Sequence, residues 1–72
     1  MNYYFTFGSN HIDPRGISLD HAYVKIKAKD YMSARKIMFK YRGSVWSMQY
    51  TEEQFLPQIE KYGLHEVGIT KI

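Results

Sequence analysis

Residues 30–43 read DYMSARKIMFKYRG and carry the strongest helix signal in the chain. Asp30 is a favourable N-cap residue, and Gly43 is a favourable residue just beyond the last turn. At about 100° per residue, the apolar side chains of this segment share one broad face. They are Tyr31, Ala34, Ile37, Met38 and Tyr41. Because a helix of this length is marginal alone in water, we expect that face to pack against a sheet built from the flanking segments.

The flanking segments alternate apolar and polar side chains, which is the pattern of half-buried strands. The segments predicted as strands are residues 2–7, 22–28, 45–50 and 66–71. Along the second of them, Val24 and Ile26 point to one side, and we expect that side to face the helix. In the third, the larger side chains of Trp46, Met48 and Tyr50 are expected to face the core.

A second helical segment follows the third strand, and a proline interrupts it. Thr51 and Gln54 have the spacing of a capping box, and Gly63 is a suitable residue for the C-terminal end. Pro57 lacks a backbone N–H and clashes with the preceding turn of a helix. We therefore expect a broken second helix, with one turn at 52–55 and a second short piece from Pro57 to Tyr62.

The predicted order of elements is β-β-α-β-α-β, within a single domain that spans residues 1–72. This order predicts the α+β class: a small, mainly antiparallel sheet of about four strands. We expect the main helix and the broken second helix to lie on one face of that sheet.

Composition and charge limit the classes of function. The chain has no cysteine, which excludes disulfides and thiolate metal sites. It has no apolar run of signal-peptide or transmembrane length, so we expect no membrane partner. The net charge of +3 is uneven, because residues 22–50 carry seven cations and only Asp30 as an acid. A basic middle with acidic flanks favours an anionic partner.

The long connection at residues 8–21 holds the candidate residues for a small ligand. Asn10, His11 and Arg15 could hold the phosphate of an anionic nucleotide. Its histidines and aspartates match no specific metal-binding spacing, so we predict no metal and no cofactor. The chain offers no obvious nucleophile or oxyanion site, and we predict a protein that is not an enzyme.

Two other surfaces are candidates for macromolecular partners. If the second face of the sheet is open, Tyr23, Lys25 and Lys27 would lie on it, where a ring can stack a base and lysines can contact phosphates of RNA or single-stranded DNA.

The predicted helix offers the other surface. Met32 and Phe39 lie seven residues apart, beside the cationic residues Arg35, Lys36 and Arg42. Aromatic residues, methionine and arginine are enriched at protein interfaces, so this patch is a candidate partner-binding site. The alternative is that the second helix folds over it. A spare apolar patch on so small a domain also favours a homodimer.

The chain resembles a group of small phage and prophage proteins. The resemblance lies in Ala28-x-x-Tyr31-x-x-Ala34-Arg35-x-x-Met38-x-x-x-x-Gly43-x-x-Trp46 and in Gln49-Tyr50-Thr51-Glu52-Glu53-x-Phe55. It also includes Tyr4-x-Thr6-Phe7-Gly8 and Tyr23-Val24-x-Ile26. It implies a viral accessory protein that acts in the cytoplasm of an infected bacterial host.

The leading functional hypothesis combines that resemblance with the basic helix. It is a non-enzymatic phage protein that binds and inhibits or modulates a bacterial macromolecule, for example an anti-phage defence protein or a protein–nucleic acid complex. The alternatives are an RNA or single-stranded DNA binding module that uses the open sheet face, and a sponge for a small anionic nucleotide.

Overall fold

The computed structural model describes residues 1–8 and 10–69. Its strands are β1 (Asn2–Thr6), β2 (Ala22–Lys27), β3 (Gln49–Thr51) and β4 (His65–Glu66), and its helices are α1 (Tyr31–Arg42) and α2 (Glu52–Tyr62). The strands form one open sheet in the order β3-β1-β2-β4. β1 is antiparallel to both β2 and β3, and β4 is parallel to β2. The α+β class, the four-stranded sheet and the element order are therefore as predicted.

One face of the sheet packs against α1. Phe5, Val24 and Ile26 point to this face and form a buried cluster with Ala34 and Met38 of the helix. The N-cap prediction is confirmed, because the Asp30 side chain accepts a hydrogen bond of 2.7 Å from the Ser33 backbone N–H. The predicted apolar face of α1 is narrower than expected, since Tyr41 is about half exposed.

The second helix packs against the opposite face, so the prediction that both helices share one face is wrong. Phe55 of α2 is fully buried against Tyr4 and Tyr23, whose side chains alternate with those that face α1. The topology gives the reason. α1 connects β2 to β3 in one direction along the sheet, and α2 returns from β3 to β4 in the other. Connections between parallel strands are right-handed. A connection that runs back along the sheet must therefore cross the opposite face from the first.

α2 is continuous, so the predicted break at Pro57 is also wrong. Proline removes the hydrogen bond that residue 57 would donate to the carbonyl of Glu53. Glu53 is exposed, so its carbonyl is not buried without a donor when that bond is missing. Phe55 and Ile59, on either side of the proline, pack against the sheet and hold both ends of the helix in line. The predicted capping box and Gly63 end are confirmed.

The third and fourth strands are shorter than predicted. Thr6 of β1 donates to the carbonyl of Met48 and accepts from the N–H of Ser47, so two consecutive residues face one residue of β1. Such a bulge disrupts the ladder, and β3 begins only after it. Met48 is exposed rather than buried, and Tyr50 packs on the α2 side, not beside Trp46.

At the other edge, β4 ends at Glu66, although Val67 and Ile69 still pack against the cluster under α1. The last residues of the predicted strand, 70 and 71, lie outside the described residues.

Candidate binding surface

Within residues 1–8 and 10–69, no other element covers the outward side of α1. Met32 is 58% exposed and Phe39 is 45% exposed, although both are large apolar side chains. The alternative that the second helix folds over them is wrong, because α2 lies on the opposite face of the sheet. The two residues are seven apart, so they lie on one stripe of the helix about two turns in length.

An aromatic stack fixes the exposed ring of Phe39. Phe39 meets Trp46 edge to face, with ring centroids 5.6 Å apart, and Trp46 meets the buried Phe5 in the same way at 5.1 Å. The Trp46 Nε1–H donates to the carbonyl of Gly43 at 2.9 Å. A surface ring that is held from below needs little ordering when a partner binds. Trp46 was predicted to lie in a core strand, and its contact with Phe39 was not predicted. The available signal was its position three residues after Gly43, which ends the helix.

A guanidinium covers the stack. The Arg35 Cζ lies 5.1 Å from the Trp46 ring and 5.7 Å from the Phe39 ring, within the usual reach of a cation–π contact. Arg35 is only partly exposed, whereas Lys36 is exposed. Among residues 1–8 and 10–69, neither cation has a carboxylate within 4 Å. The surface therefore presents apolar area together with two cations that form no close ion pair among the described residues.

Arg42 has a more interior position than the sequence suggests. Its Cζ lies 5.4 Å from the ring of Phe7, and its Nε is buried with no hydrogen-bond partner in the described part of the chain. The side chain thus packs the end of α1 against the segment that follows β1. Of the five residues predicted for this surface, Met32, Lys36 and Phe39 are exposed, Arg35 is partly exposed between them, and Arg42 lies at the inner edge.

The sheet face proposed for nucleic acid is not open. Tyr23 is 9% exposed, and its ring meets that of Phe55 at 5.1 Å, so it has no free face for a base. Burial, and then the charge of Glu66, raise the pKa of Tyr23 above its usual value of 10.0. Lys25 and Lys27 remain exposed on strand β2. The predicted combination of ring and lysines is therefore broken by α2.

In the 8–21 connection, the described residues 8 and 10–21 bind one another through several of the groups predicted to hold a ligand. Asp13 is buried and accepts hydrogen bonds from the backbone N–H groups of Arg15 and Ile17, each at 2.9 Å. The Arg15 guanidinium also binds this carboxylate, with Nη2 at 3.0 Å. His11 Nδ1 accepts from the Gly8 N–H at 3.0 Å, and only Asn10 of the predicted trio is uncommitted within the described residues. The loop thus uses its own charged and polar groups to form a tight turn.

In the described ranges, 1–8 and 10–69, no three histidine, aspartate or glutamate side chains are close enough to hold a metal ion. Over the same residues, neither helix has the length and apolar character needed to span a membrane.

Fold and surface together define a small α+β domain with helices on both faces of its sheet and one helix that presents an apolar, cationic exterior. Comparisons with protein-family models, curated proteins and solved structures returned no match. The phage resemblance and the function attached to it therefore stay predictions.

Proposed function

We propose that this chain is a non-enzymatic accessory protein of phage origin that binds a bacterial macromolecule through the outward side of α1. The partner is a cytoplasmic protein or protein–nucleic acid complex of the infected cell, with components of anti-phage defence as the first class to test. Binding inhibits or redirects that partner. The observation that carries the proposal is the exposure of Met32 and Phe39 beside Arg35 and Lys36.

The apolar part of the surface supplies the affinity. Exposed methionine and aromatic side chains are typical of interface centres, where a few such residues provide most of the binding free energy. Phe39 is suited to this role because Trp46 holds its ring against the core. The partner should offer a shallow apolar groove for Met32 and Phe39, two turns of helix apart.

The charged part of the surface selects the partner. Between Tyr31 and Arg42 the helix carries four cations and no acid. Complementary charge steers association and excludes partners of like charge. The groove on the partner is therefore expected to have acidic residues at its rim, and binding should weaken as salt screens those charges.

The test is a comparison of two double variants as affinity baits in a bacterial lysate. Met32→Ala/Phe39→Ala removes the exposed apolar centre on α1. Leu56→Ala/Tyr62→Ala is the matched control, because both residues are about half exposed and lie on α2. Quantitative mass spectrometry should find proteins that the wild type and the control enrich equally. The α1 variant should recover them at least about tenfold less efficiently.

Two results would contradict the proposal. One is that no protein is enriched above bare resin. The other is that both double variants, confirmed as folded by circular dichroism, recover the same proteins in the same amounts as the wild type.

A second copy of the chain is an alternative occupant of this surface, since association stabilises small domains. Sedimentation at increasing protein concentration separates the two cases. A dimer that the Met32→Ala/Phe39→Ala variant abolishes would assign the surface to self-association.

A further inference from the structure

Strand β2 is paired along most of its length on one side but only at its beginning on the other. β1 pairs with it from Tyr23 to Lys27, whereas β4 pairs with it only at Ala22 and Tyr23. Among the described residues, the β4 side of residues 24–27 is therefore an edge of the sheet, called here the β2 edge. It contains none of the residues on the outward side of α1 and has no part in the function proposed above.

Backbone hydrogen bonds show which residues of β2 point to this edge. Met1 and Ala28 exchange two bonds: the Ala28 N–H donates to the Met1 carbonyl at 2.9 Å, and the Met1 nitrogen donates to the Ala28 carbonyl at 3.0 Å. Such mutual pairs recur at every second residue of an antiparallel ladder, so Ile26 also bonds to β1. Lys25 and Lys27 therefore direct their backbone N–H and C=O groups the other way, to the β2 edge.

The ladder between β2 and β4 has the same direction and then stops. The Tyr23 carbonyl accepts from the Val67 N–H at 2.8 Å. The next bond would run from Ile69 to the Lys25 carbonyl, but Ile69 packs against the cluster under α1 and does not make it. Within residues 1–8 and 10–69, the backbone groups of Lys25 and Lys27 have no hydrogen-bond partner. Unpaired N–H and C=O groups at a sheet edge can pair with an added strand.

The side chains along the β2 edge favour one charge on that strand. Lys25 and Lys27 are exposed and point to the α2 face, whereas Val24 and Ile26 are buried on the α1 face. Neither lysine has a carboxylate within 4 Å among the described residues. Opposite charges on neighbouring strands stabilise the pair, and like charges destabilise it. A strand with acidic side chains on one face and apolar side chains on the other is therefore complementary to this edge.

Two other occupants are less complementary. A second copy of β2 would place lysine against lysine. A nucleic acid backbone would contact the lysines but would leave the peptide groups of the edge unpaired. Glu66 of β4 lies beside Tyr23, so the acidic residues of the added strand should lie next to Lys25 and Lys27, away from that end.

We propose that the β2 edge binds an extended segment of a partner protein in which acidic and apolar residues alternate. The segment adds a strand beside residues 24–27. Its backbone exchanges hydrogen bonds with Lys25 and Lys27, and its carboxylates lie next to their ammonium groups. Because the contact is small, it suits a short linear segment that binds weakly and reversibly.

The test follows the backbone amides of the ¹⁵N-labelled full chain. In the free protein, the amides of Lys25 and Lys27 should exchange with solvent at least about tenfold faster than those of Val24 and Ile26, which bond to β1. The probe is a capped peptide of about eight residues in which glutamate and valine alternate. It should give saturable shifts at Lys25 and Lys27, with a dissociation constant on the order of 1 mM or below, and should slow their exchange.

Three further peptides distinguish strand addition from simple attraction of charge. A peptide of alternating lysine and valine should not bind. The other two carry N-methyl groups on all glutamates or on all valines of the probe. Successive N–H groups of a strand point to opposite sides, so only one set reaches the β2 edge. One N-methylated peptide should therefore lose binding, and the other should retain it.

Variants of the protein make the assignment specific. Lys25→Glu/Lys27→Glu places like charges together and should weaken binding of the glutamate–valine peptide at least about tenfold. Lys40→Glu/Lys61→Glu is the matched control, because it has the same net charge and changes two exposed lysines on the helices. It should bind the peptide as the wild type does, and dispersed amide spectra should show that both variants fold.

Several results would overturn the proposal. Amides of Lys25 and Lys27 that exchange as slowly as those of Val24 and Ile26 would show that the edge is already paired. So would the absence of saturable shifts with the glutamate–valine peptide, equal binding of all four peptides, or undiminished binding in folded Lys25→Glu/Lys27→Glu argue against strand addition. Binding of a single-stranded oligonucleotide, but not of the peptide, would assign the lysines to phosphate instead.

Discussion

The ring of Phe55 stacks on the ring of Tyr4, with centroids 4.9 Å apart and only 20° between the planes. Phe55 also contacts the rings of Tyr23 and Tyr50. One side chain of α2 therefore contacts a tyrosine on each of the strands β1, β2 and β3. This contact closes the second face of the sheet. It leaves the outward side of α1 as the surface on which the proposed function rests.

Removal of the Phe55 ring should therefore destabilise the fold severely. Phe55 is 0% exposed, and truncation of a buried phenylalanine to alanine destabilises proteins by about 3–5 kcal/mol. A domain of this size has a free energy of unfolding near the lower end of about 5–15 kcal/mol. Urea unfolding of Phe55→Ala, followed by circular dichroism, should show most of that stability lost. Leu56→Ala, the adjacent and half-exposed position, should lose less than about 1 kcal/mol. Equal losses in the two variants would mean that α2 does not pack as described.

The turn around Asp13 should make the stability of the protein fall at low pH. The hydrogen bond from the Ile17 N–H, assisted by the contacts of Arg15, holds the pKa of the Asp13 carboxyl below its usual value of 3.8. A lowered folded-state pKa stabilises the protein above the unfolded value, and that contribution is lost as pH falls through the folded pKa.

Asp13→Asn tests this dependence. The gap in unfolding free energy between wild type and Asp13→Asn should be largest near neutrality and shrink below about pH 4. Thermal melts across that range measure it, with Glu53→Gln, an exposed change of the same kind, as the control. A gap that stays constant with pH would show that the Asp13 charge has no part in the turn.

Tyr4 should make the stability of the protein fall at high pH, whereas Asp13 makes it fall at low pH. Burial raises the pKa of the Tyr4 hydroxyl above 10.0, and the nearby Glu52 carboxylate, which accepts from it at 3.2 Å, raises it further. With a raised folded-state pKa, stability is fully present below the unfolded value and is lost as pH rises through the folded one. Tyr4→Phe should lower the free energy of unfolding by about 1 kcal/mol at neutral pH. Above about pH 10, the variant should lose less stability than the wild type as the pH rises. The same loss between pH 9 and 11 in both proteins would contradict the burial of this hydroxyl.

Arg35 should contribute to partner binding through its planar guanidinium group as well as through its charge. It lies over two rings, a geometry that favours guanidinium over ammonium. We expect Arg35→Glu to abolish recovery of the partner and Arg35→Lys to weaken it about tenfold or less. Binding curves for a partner recovered by the wild type, measured at low and high salt, provide the comparison. If Arg35→Glu binds as tightly as the wild type, the partner does not present an acidic rim to this helix.

Local signals in the sequence were enough for much of the fold. Asp30 and Gly43 define the ends of α1 because capping depends only on neighbouring residues. The alternation around Val24 and Ile26 identifies β2 and its buried side for the same reason. Helical spacing alone also predicts that Met32, Arg35, Lys36 and Phe39 share one side of α1, the candidate binding surface.

The features that the sequence did not reveal depend on distant contacts. Pro57 favours a break locally, yet packing of Phe55 and Ile59 keeps α2 continuous. The face that α2 covers follows from strand order, which no local pattern encodes. The hydrogen bond from the Gln49 side chain to the carbonyl of Tyr31, eighteen residues earlier in the chain, is likewise a distant contact.

The most direct test of the central claim is site-specific photo-crosslinking in bacterial lysate. A photoreactive phenylalanine analogue is placed at position 39 on α1 in one protein and at position 56 on α2 in another, since both sites are about half exposed. The account predicts discrete adducts from position 39 that excess wild-type protein suppresses, and none from position 56. Adducts of equal yield from both positions, or from position 56 alone, would contradict it.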